Sequence, residues 1–326
     1  MTLVLDDETV RAAFDWNLAI AALRDAYGST PDATRFPART MARGDHGWLR
    51  TLSGVPAGPG LMGLKVIAAV PAAGQVSYSI MLFDQRTAEL VALLDGHSVT
   101  GYRTAATSTL AADLLVGPGP LRVAVIGSGF EARNHVRALA AVRRLETVHV
   151  YSPSRESRAR FVSELADVPA PISSTESAEA AVAEATLVIC AARSRDESPT
   201  LRGDWLRPGV TVVSIGSTLP EQREVDTAVL SRADLVVADA VDEVLGDTGD
   251  LIAAREAGLE LGPRTIALAD LVGGFHPGRT APDQIVVYKS VGSAVQDLAV
   301  AGMCARAALR LGSGTPLPVD LRPIQK

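Results

Sequence analysis

Residues 123–139 read VAVIGSGFEARNHVRAL, and no other part of the chain restricts the possible folds so strongly. An apolar strand pattern leads straight into Gly127-Ser128-Gly129-Phe130-Glu131-Ala132, and a helical pattern follows at once. Strand, glycine turn and helix in that order aim the backbone N–H groups of a helix N-terminus at a pyrophosphate. Gly127 permits the tight turn, Gly129 lets a phosphate approach the backbone, and Ala132 lets helix and sheet pack closely. Glycines alone are a weak signal, because small residues recur in any loop-rich chain; their place between a strand and a helix carries the reading. A dinucleotide-binding Rossmann domain is therefore expected.

The surrounding pattern extends this expectation. Beyond the turn, apolar runs at 147–152, 187–191, 210–215 and 235–238 alternate with helical or loop segments, which predicts an α/β doubly wound parallel sheet. Ahead of it the period changes. Residues 6–27 predict two short helices, and the runs FPARTMA, WLRTL, GLKVIAAV, VSYSIMLFD and AELVALLD, separated by Gly, Pro and Asp, predict several antiparallel strands. An Ala-rich helix over Val99–Leu115 stops at Gly117-Pro118-Gly119-Pro120, a natural boundary. A further Ala-rich helix over Val291–Leu311 is placed to return to the first domain. The expected division is a discontinuous strand-rich α+β domain of residues 1–116 and 303–326, and a Rossmann domain of residues 117–302.

Composition narrows the function classes. Aromatic residues make up only 4% of the 326 residues while 47% are apolar, so the cores must be built from small aliphatic side chains. A formal net charge of -6 offers no positive field for a nucleic acid. The first ten residues carry Asp6, Asp7 and Glu8 where an export signal needs a cation and an apolar run. Apolar stretches such as Val66–Ala73 are too short to cross a bilayer, so no membrane association and a cytoplasmic location are expected. Two cysteines and five scattered histidines give no ligand spacing, and no metal site is expected.

Nucleotide preference turns on the end of the second strand of the Rossmann unit, where an acid would hold a ribose 2′-hydroxyl. The chain reads Val150-Tyr151-Ser152-Pro153-Ser154-Arg155 there, with no carboxylate at the strand end. Ser152, Ser154 and Arg155 could hold a 2′-phosphate, so NADP(H) is favoured and NAD(H) stays possible. Against this, Arg155, Arg158 and Arg160 could be the solvated face of the next helix, and Glu156 lies close by.

In the strand-rich domain three cations sit in apolar settings: Arg39 in FPART, Lys65 in GLKVIAAV and Arg103 in TGYRTAATS. Together they outline a carboxylate or phosphate site, Arg103 lying in the first turns of its helix. For any one of them, an internal ion pair or a snorkelling side chain is an equal alternative.

The runs LFDQRTAELVALLDGHSVTGYRTAATSTLAADLL, VAVIGSGFEARNHVRAL, VVSIGSTLPEQREVD and YKSVGSAVQDLA, in that order, resemble the ornithine cyclodeaminase/mu-crystallin family across nearly the whole chain. The resemblance implies a homodimer of two-domain subunits, the strand-rich domain binding substrate and dimerising. It places Arg39, Lys65 and Arg103 on the substrate's α-carboxylate, with Arg103 also reaching the cofactor. Phe130 and Glu131 fall on cofactor contacts in the turn, and Ser290 and Val291 beside the nicotinamide, Ser290 as a cofactor-binding and Val291 as a substrate-binding residue.

One departure bears on the chemistry. The cyclodeaminases carry an aspartate that handles the substrate's amino group where this chain has Thr218, and a lysine where it has Gln222. A threonine hydroxyl cannot serve as a carboxylate base near neutral pH. The expected function is therefore an NAD(P)H-dependent oxidoreductase of α-imino acids, an imine or ketimine reductase or, in reverse, an amino-acid dehydrogenase. Lys65 and Arg103 are its expected catalytic residues, and burial should lower the Lys65 pKa. The alternatives are an ornithine or lysine cyclodeaminase using catalytic NAD, and a crystallin-like NADP-binding protein with little turnover. A small or apolar substrate side chain is expected, since only Arg50 and Arg223 offer themselves for a second carboxylate.

Overall fold

The computed structural model describes residues 2–28, 34–57, 60–192, 194, 196–319 and 321–324. In chain order the elements are β1 (Leu3–Leu5), α1 (Asp7–Ala13), α2 (Trp16–Gly28), β2 (Thr40–Arg43), β3 (Trp48–Gly54), β4 (Leu61–Val70), β5 (Gln75–Asp84), β6 (Leu90–Asp95) and α3 (His97–Leu115). There follow β7 (Leu121–Ile126), α4 (Phe130–Val142), β8 (Leu145–Tyr151), α5 (Arg155–Glu164), β9 (Ile172–Ser174), α6 (Ala178–Val182), β10 (Leu187–Cys190), β11 (Thr211–Ser214), α7 (Thr227–Arg232) and β12 (Leu235–Ala238). The chain closes with α8 (Val241–Asp247), α9 (Gly249–Glu256), β13 (Thr265–Ala267), α10 (Leu268–Val272), β14 (Val286–Lys289), α11 (Ala294–Leu311) and β15 (Thr315–Pro316).

These elements form two compact units, Met1–Thr104 with Gly292–Lys326, and Ala105–Val291. The division falls inside α3 and just ahead of α11, rather than at 116 and 303. All of α11 belongs to the first unit because it packs along α1, α2 and strands β3 to β5 there.

In the first unit a mixed sheet runs in the order β15-β1-β6-β5-β4-β3-β2. Its register sorts the side chains. Leu52 faces Lys65, Lys65 faces Ile80, Ile80 faces Leu94 and Leu94 faces Leu5, so these five share one side of the sheet. All five are buried. The next row, Leu64, Met81, Leu93 and Val4, shares the opposite side and is only half-buried. Lys65 is thus an ionisable residue on the apolar side, where an uncharged side chain would be the rule.

The second unit is an all-parallel sheet in the order β13-β12-β14-β11-β10-β7-β8-β9. Every residue of β10, β11, β12 and β14 is buried, as expected of strands covered on both faces. From β7 the chain moves outward to β8 and β9, then returns to β10 on the other side of β7. That reversal is a topological switch point, and ligands bind outside the strand ends at such a point.

The strands missing from the sequence reading, β1, β9, β13 and β15, have two or three residues each, too few to show an alternation. Ile80 is fully buried in the Lys65 row. Ile80→Ala is expected to destabilise the first unit by about 2–5 kcal/mol, read from the shift in its denaturant unfolding midpoint.

Candidate active site

In the first unit the site is built around a carboxylate on α11. The first half of α3 is held in this unit by Tyr102, whose ring stacks on Phe14 at 4.3 Å. The neighbouring Arg103 then projects toward α11, where its Nε lies 3.0 Å from Asp297 Oδ1. The same oxygen accepts a 2.6 Å hydrogen bond from Lys65 Nζ on β4. Arg103 also donates to Gln296 Oε1 at 2.5 Å, and Gln296 donates through Nε2 to the Tyr27 hydroxyl at 2.9 Å. Gly292 supplies the space for the guanidinium: a Cβ there would come within 2.6 Å of an Arg103 nitrogen, and its φ of 82° already favours glycine.

Lys65 is 1% exposed and Asp297 fully buried. Burial pulls the Lys65 pKa down to about 8; the Asp297 carboxylate opposes this, and the Arg103 and Arg39 charges add to it. The charge of Arg39, half-buried ahead of β2, therefore acts on Lys65 in the same cluster. Asp297 Oδ2 is buried and accepts no hydrogen bond among the described residues. Asp297, Gln296 and Tyr27 were missed by the sequence reading. Their signal was adjacent acid and amide side chains in an otherwise apolar, Ala-rich helix, where each needs a buried partner.

Arg50, whose register sequence could not fix, pairs with Ile67, places its buried side chain on the Lys65 side, and lies 5.2 Å from the Trp48 ring centroid. Arg223 belongs to the other unit and lies 3.4 Å from buried Asp250, in an internal ion pair.

In the second unit the turn after β7 has the expected form. Gly127 has φ 109°, and a Cβ there would come within 2.5 Å of the Ala191 carbonyl oxygen. Gly129 is the N-cap of α4, and a Cβ on it would enter open space. A bare backbone facing open space at the N-terminus of a 13-residue helix fits a pyrophosphate. Phe130 and Glu131 form the first turn of α4, and Ala132 is fully buried against the sheet.

At the end of β8, Ser152 Oγ is 2.8 Å from Ser128 Oγ, which ties the strand end to the glycine turn. Ser154 caps α5 by accepting from the Ser157 N–H, and donates to Glu156 Oε2 at 2.8 Å. Arg155 is exposed, whereas Arg158 is buried and not part of a solvated face. Its guanidinium donates to the Ser152 carbonyl at 2.8 Å and lies 5.8 Å from the Tyr151 ring centroid. Farther along the strand ends, Ser290 Oγ donates to Asp239 Oδ2 at 2.7 Å, and the Val291 N–H donates to Asp239 Oδ1 at 3.0 Å. Thr218 donates to Gln222 Oε1 from its N–H at 3.0 Å and its hydroxyl at 3.2 Å, so the two residues that depart from the cyclodeaminase pattern bind each other.

Among the described residues no three of His, Cys, Asp and Glu converge as a metal site. No described helix is long and apolar enough to cross a membrane.

One unit has a parallel sheet with a glycine turn at its switch point and the other bears a buried lysine–carboxylate–arginine cluster, the pattern of a class of dinucleotide-binding two-unit proteins. The family model described as the ornithine cyclodeaminase/mu-crystallin family matches residues 24–310, and the chain belongs to that family. It is 30% identical over 262 residues to a Delta(1)-pyrroline-2-carboxylate reductase of Bacillus cereus, covering 78% of this chain and 79% of the relative. To the ketimine reductase mu-crystallin of Mus musculus it is 30% identical over 224 residues, 68% of this chain and 67% of the relative. The Thermococcus litoralis Delta(1)-pyrroline-2-carboxylate reductase, solved with NADH and L-proline, superposes with a TM-score of 0.90 at 26% identity, covering 97% of this chain and all of that one.

Asp297→Asn leaves Lys65 and Arg103 buried without their counter-charge. A loss of about 3–5 kcal/mol is expected at pH 7. Lys65 is charged below its pKa of about 8 and neutral above it. The loss should therefore shrink in unfolding titrations repeated well above that pH.

Proposed function

We propose that the protein is an NAD(P)H-dependent reductase of α-imino acids, with a five- or six-membered cyclic ketimine carboxylate as its preferred substrate. The observation that carries this reading is the Lys65–Asp297–Arg103 cluster, two buried cations held in place through one carboxylate oxygen and influenced by the Arg39 charge, an arrangement suited to a substrate carboxylate. Bound NAD(P)H supplies hydride to the imine carbon. The protein must hold the substrate and deliver a proton to the imine nitrogen.

Arg39 and Arg103 bind the α-carboxylate, Arg103 kept in orientation by Asp297 and Gln296. Lys65, with its pKa drawn toward neutrality, holds the proton that the nitrogen receives. The backbone N–H groups of the Gly127–Ala132 turn bind the pyrophosphate, and Ser290 and Val291, fixed through Asp239, flank the nicotinamide. The Thr218–Gln222 pair offers no carboxylate to an amino group, which weighs against cyclodeamination. Arg223 is paired to Asp250 and Arg50 packs on the Trp48 ring, which supports a small or apolar substrate side chain over a second carboxylate.

Ser152, Ser154 and Arg155 favour a 2′-phosphate and hence NADPH, with NADH as a weaker alternative; buried Arg158 adds no net charge there, being paired with Glu176 at 2.9 Å. The half-buried row of Leu64, Met81, Leu93 and Val4 offers a second copy of the chain an apolar sheet face, so the protein acts as a homodimer.

With pyrroline-2-carboxylate or piperideine-2-carboxylate, steady NADPH oxidation is expected. Ornithine converted to proline with only catalytic NAD would overturn the reading. Because Lys65 loses its proton above a pH of about 8, kcat/KM for imine reduction should fall as pH rises through that value. Lys65→Met should lower kcat by about 100-fold or more, the usual scale of positioned proton transfer, while cofactor affinity measured by fluorescence stays unchanged. Met81→Glu should convert the dimer to a monomer in sedimentation analysis.

A further inference from the structure

The second unit holds a buried ionic network at the ends of its central strands that the proposed chemistry does not use. Ser214 ends β11 and Lys289 ends β14; Glu224, Asp250, Ser214 and Lys289 are all fully buried. Lys289 Nζ lies 2.9 Å from Asp250 Oδ2 and donates to Ser214 Oγ at 2.8 Å. Asp250 Oδ1 accepts from the Glu224 N–H at 2.8 Å, and Arg223 lies on its far side.

Glu224 does something different from its neighbours: its carboxylate joins two separate strand ends. Oε1 accepts from the Ala192 N–H at 3.1 Å, just past β10. Oε2 accepts from the Gly216 N–H at 2.8 Å, just past β11, and from Ser214 Oγ at 2.6 Å. A side chain on Gly216 would collide with this carboxylate and with the Ala192 carbonyl oxygen, so the three segments are in direct contact. Ala191 in turn is the residue against which Gly127 is packed, and its N–H donates to the Ile126 carbonyl at 2.9 Å. The chain of contacts therefore runs from Glu224 through Ala192 and Ala191 to the phosphate-binding turn at the switch point.

We propose that Glu224 is a positioning residue for the dinucleotide: its ionised carboxylate clamps the ends of β10 and β11 into the shape the cofactor binds, and protonation releases the clamp. This inference rests on the dinucleotide reading of the Gly127–Ala132 turn. An ionised carboxylate offers full acceptors to all three donors, whereas protonation makes the Ser214 hydroxyl turn from donor to acceptor and leaves the hydroxyl oxygen of the acid a weaker acceptor for the backbone N–H it faces. Burial raises the Glu224 pKa from its ordinary 4.5 to about 7; Lys289, the Ser214 hydroxyl and the Gly216 N–H oppose the rise, and the Asp250 charge adds to it. Among the described residues the other titratable neighbour is the Cys190 thiol, which burial foremost, and Glu224 next, hold well above the ordinary thiol range, so it stays neutral. The clamp thus closes as pH rises through neutrality, and binding of cofactor near pH 7 releases a proton.

The test is fluorescence titration with NADH, which has no 2′-phosphate to titrate in this range, from pH 6 to 8.5, with the unaltered chain and with Glu224→Gln. For the unaltered chain Kd is expected to fall about tenfold as pH rises through 7, the equivalent of one charge-assisted hydrogen bond. Calorimetry in buffers of different ionisation enthalpy should register the released proton. Glu224→Gln should bind about tenfold more weakly at pH 8, with no dependence on pH and no proton release. Ser214→Ala, which removes one donor from Oε2 and keeps the acid, should move the midpoint of the pH dependence upward. A residue that is merely structural would lower the melting temperature of both variants and leave the midpoint and the proton release where they are. That result, or a Glu224→Gln profile identical to that of the unaltered chain, overturns the inference and leaves the cofactor reading intact. Absence of NADH and NADPH binding by the unaltered chain at every pH overturns both.

Discussion

Taking the Asp297 carboxylate out of water costs several kcal/mol unless its charge is met, and Lys65 and Arg103 meet it through a single oxygen. The same holds in reverse, because neither cation could stay buried alone. This mutual dependence joins three elements that are distant in sequence, β4, α3 and α11. It requires α11 to lie on the apolar side of the sheet, and it explains why Lys65 occupies a row otherwise made of Leu52, Ile80, Leu94 and Leu5. A triad of this kind adds less net stability than well-packed leucines would. Its value lies in delivering ordered positive charge and a lysine close to neutrality.

The second unit solves a related problem with the opposite emphasis. There, two buried carboxylates and a buried lysine stand at the strand ends, and backbone N–H groups satisfy much of the carboxylate capacity. The first unit uses its buried acid to hold side chains; the second uses its acids to hold loops.

What the sequence disclosed follows from how local each signal is. The Gly127–Ala132 turn was legible because its strand, glycines and helix are contiguous, and the parallel sheet because strands buried on both faces give unbroken apolar runs. Arg39, Lys65 and Arg103 could be singled out as misplaced charges, and the family resemblance gave them a common purpose. Asp297 could not be found in the same way, since an acid in a helix is ordinary until the opposite side of the contact is known. Glu224 and Asp250 were hidden for the same reason, their partners being backbone N–H groups and side chains distant in sequence such as Lys289. The facing of Arg50 depended on register, which β3 and β4 settle only by pairing. Arg158 looked like part of a solvated helix face because its neighbours Arg155 and Arg160 are, and only the turn of the helix brings it under Tyr151.

The first unit is assembled from both ends of the chain, with β1 paired to β15 and α11 laid across strands made some two hundred residues earlier. The second unit is one uninterrupted stretch. A ribosome releasing this chain would therefore present the parallel-sheet unit with everything it needs to fold, while Lys65 and Arg103 waited for the helix that carries their counter-ion. Until α11 emerges, the apolar side of the first sheet lacks the helix that covers it and the counter-ion of its two cations. A chain cut short before Asp297 would carry the whole of the second unit, but Lys65 and Arg103 without their counter-charge.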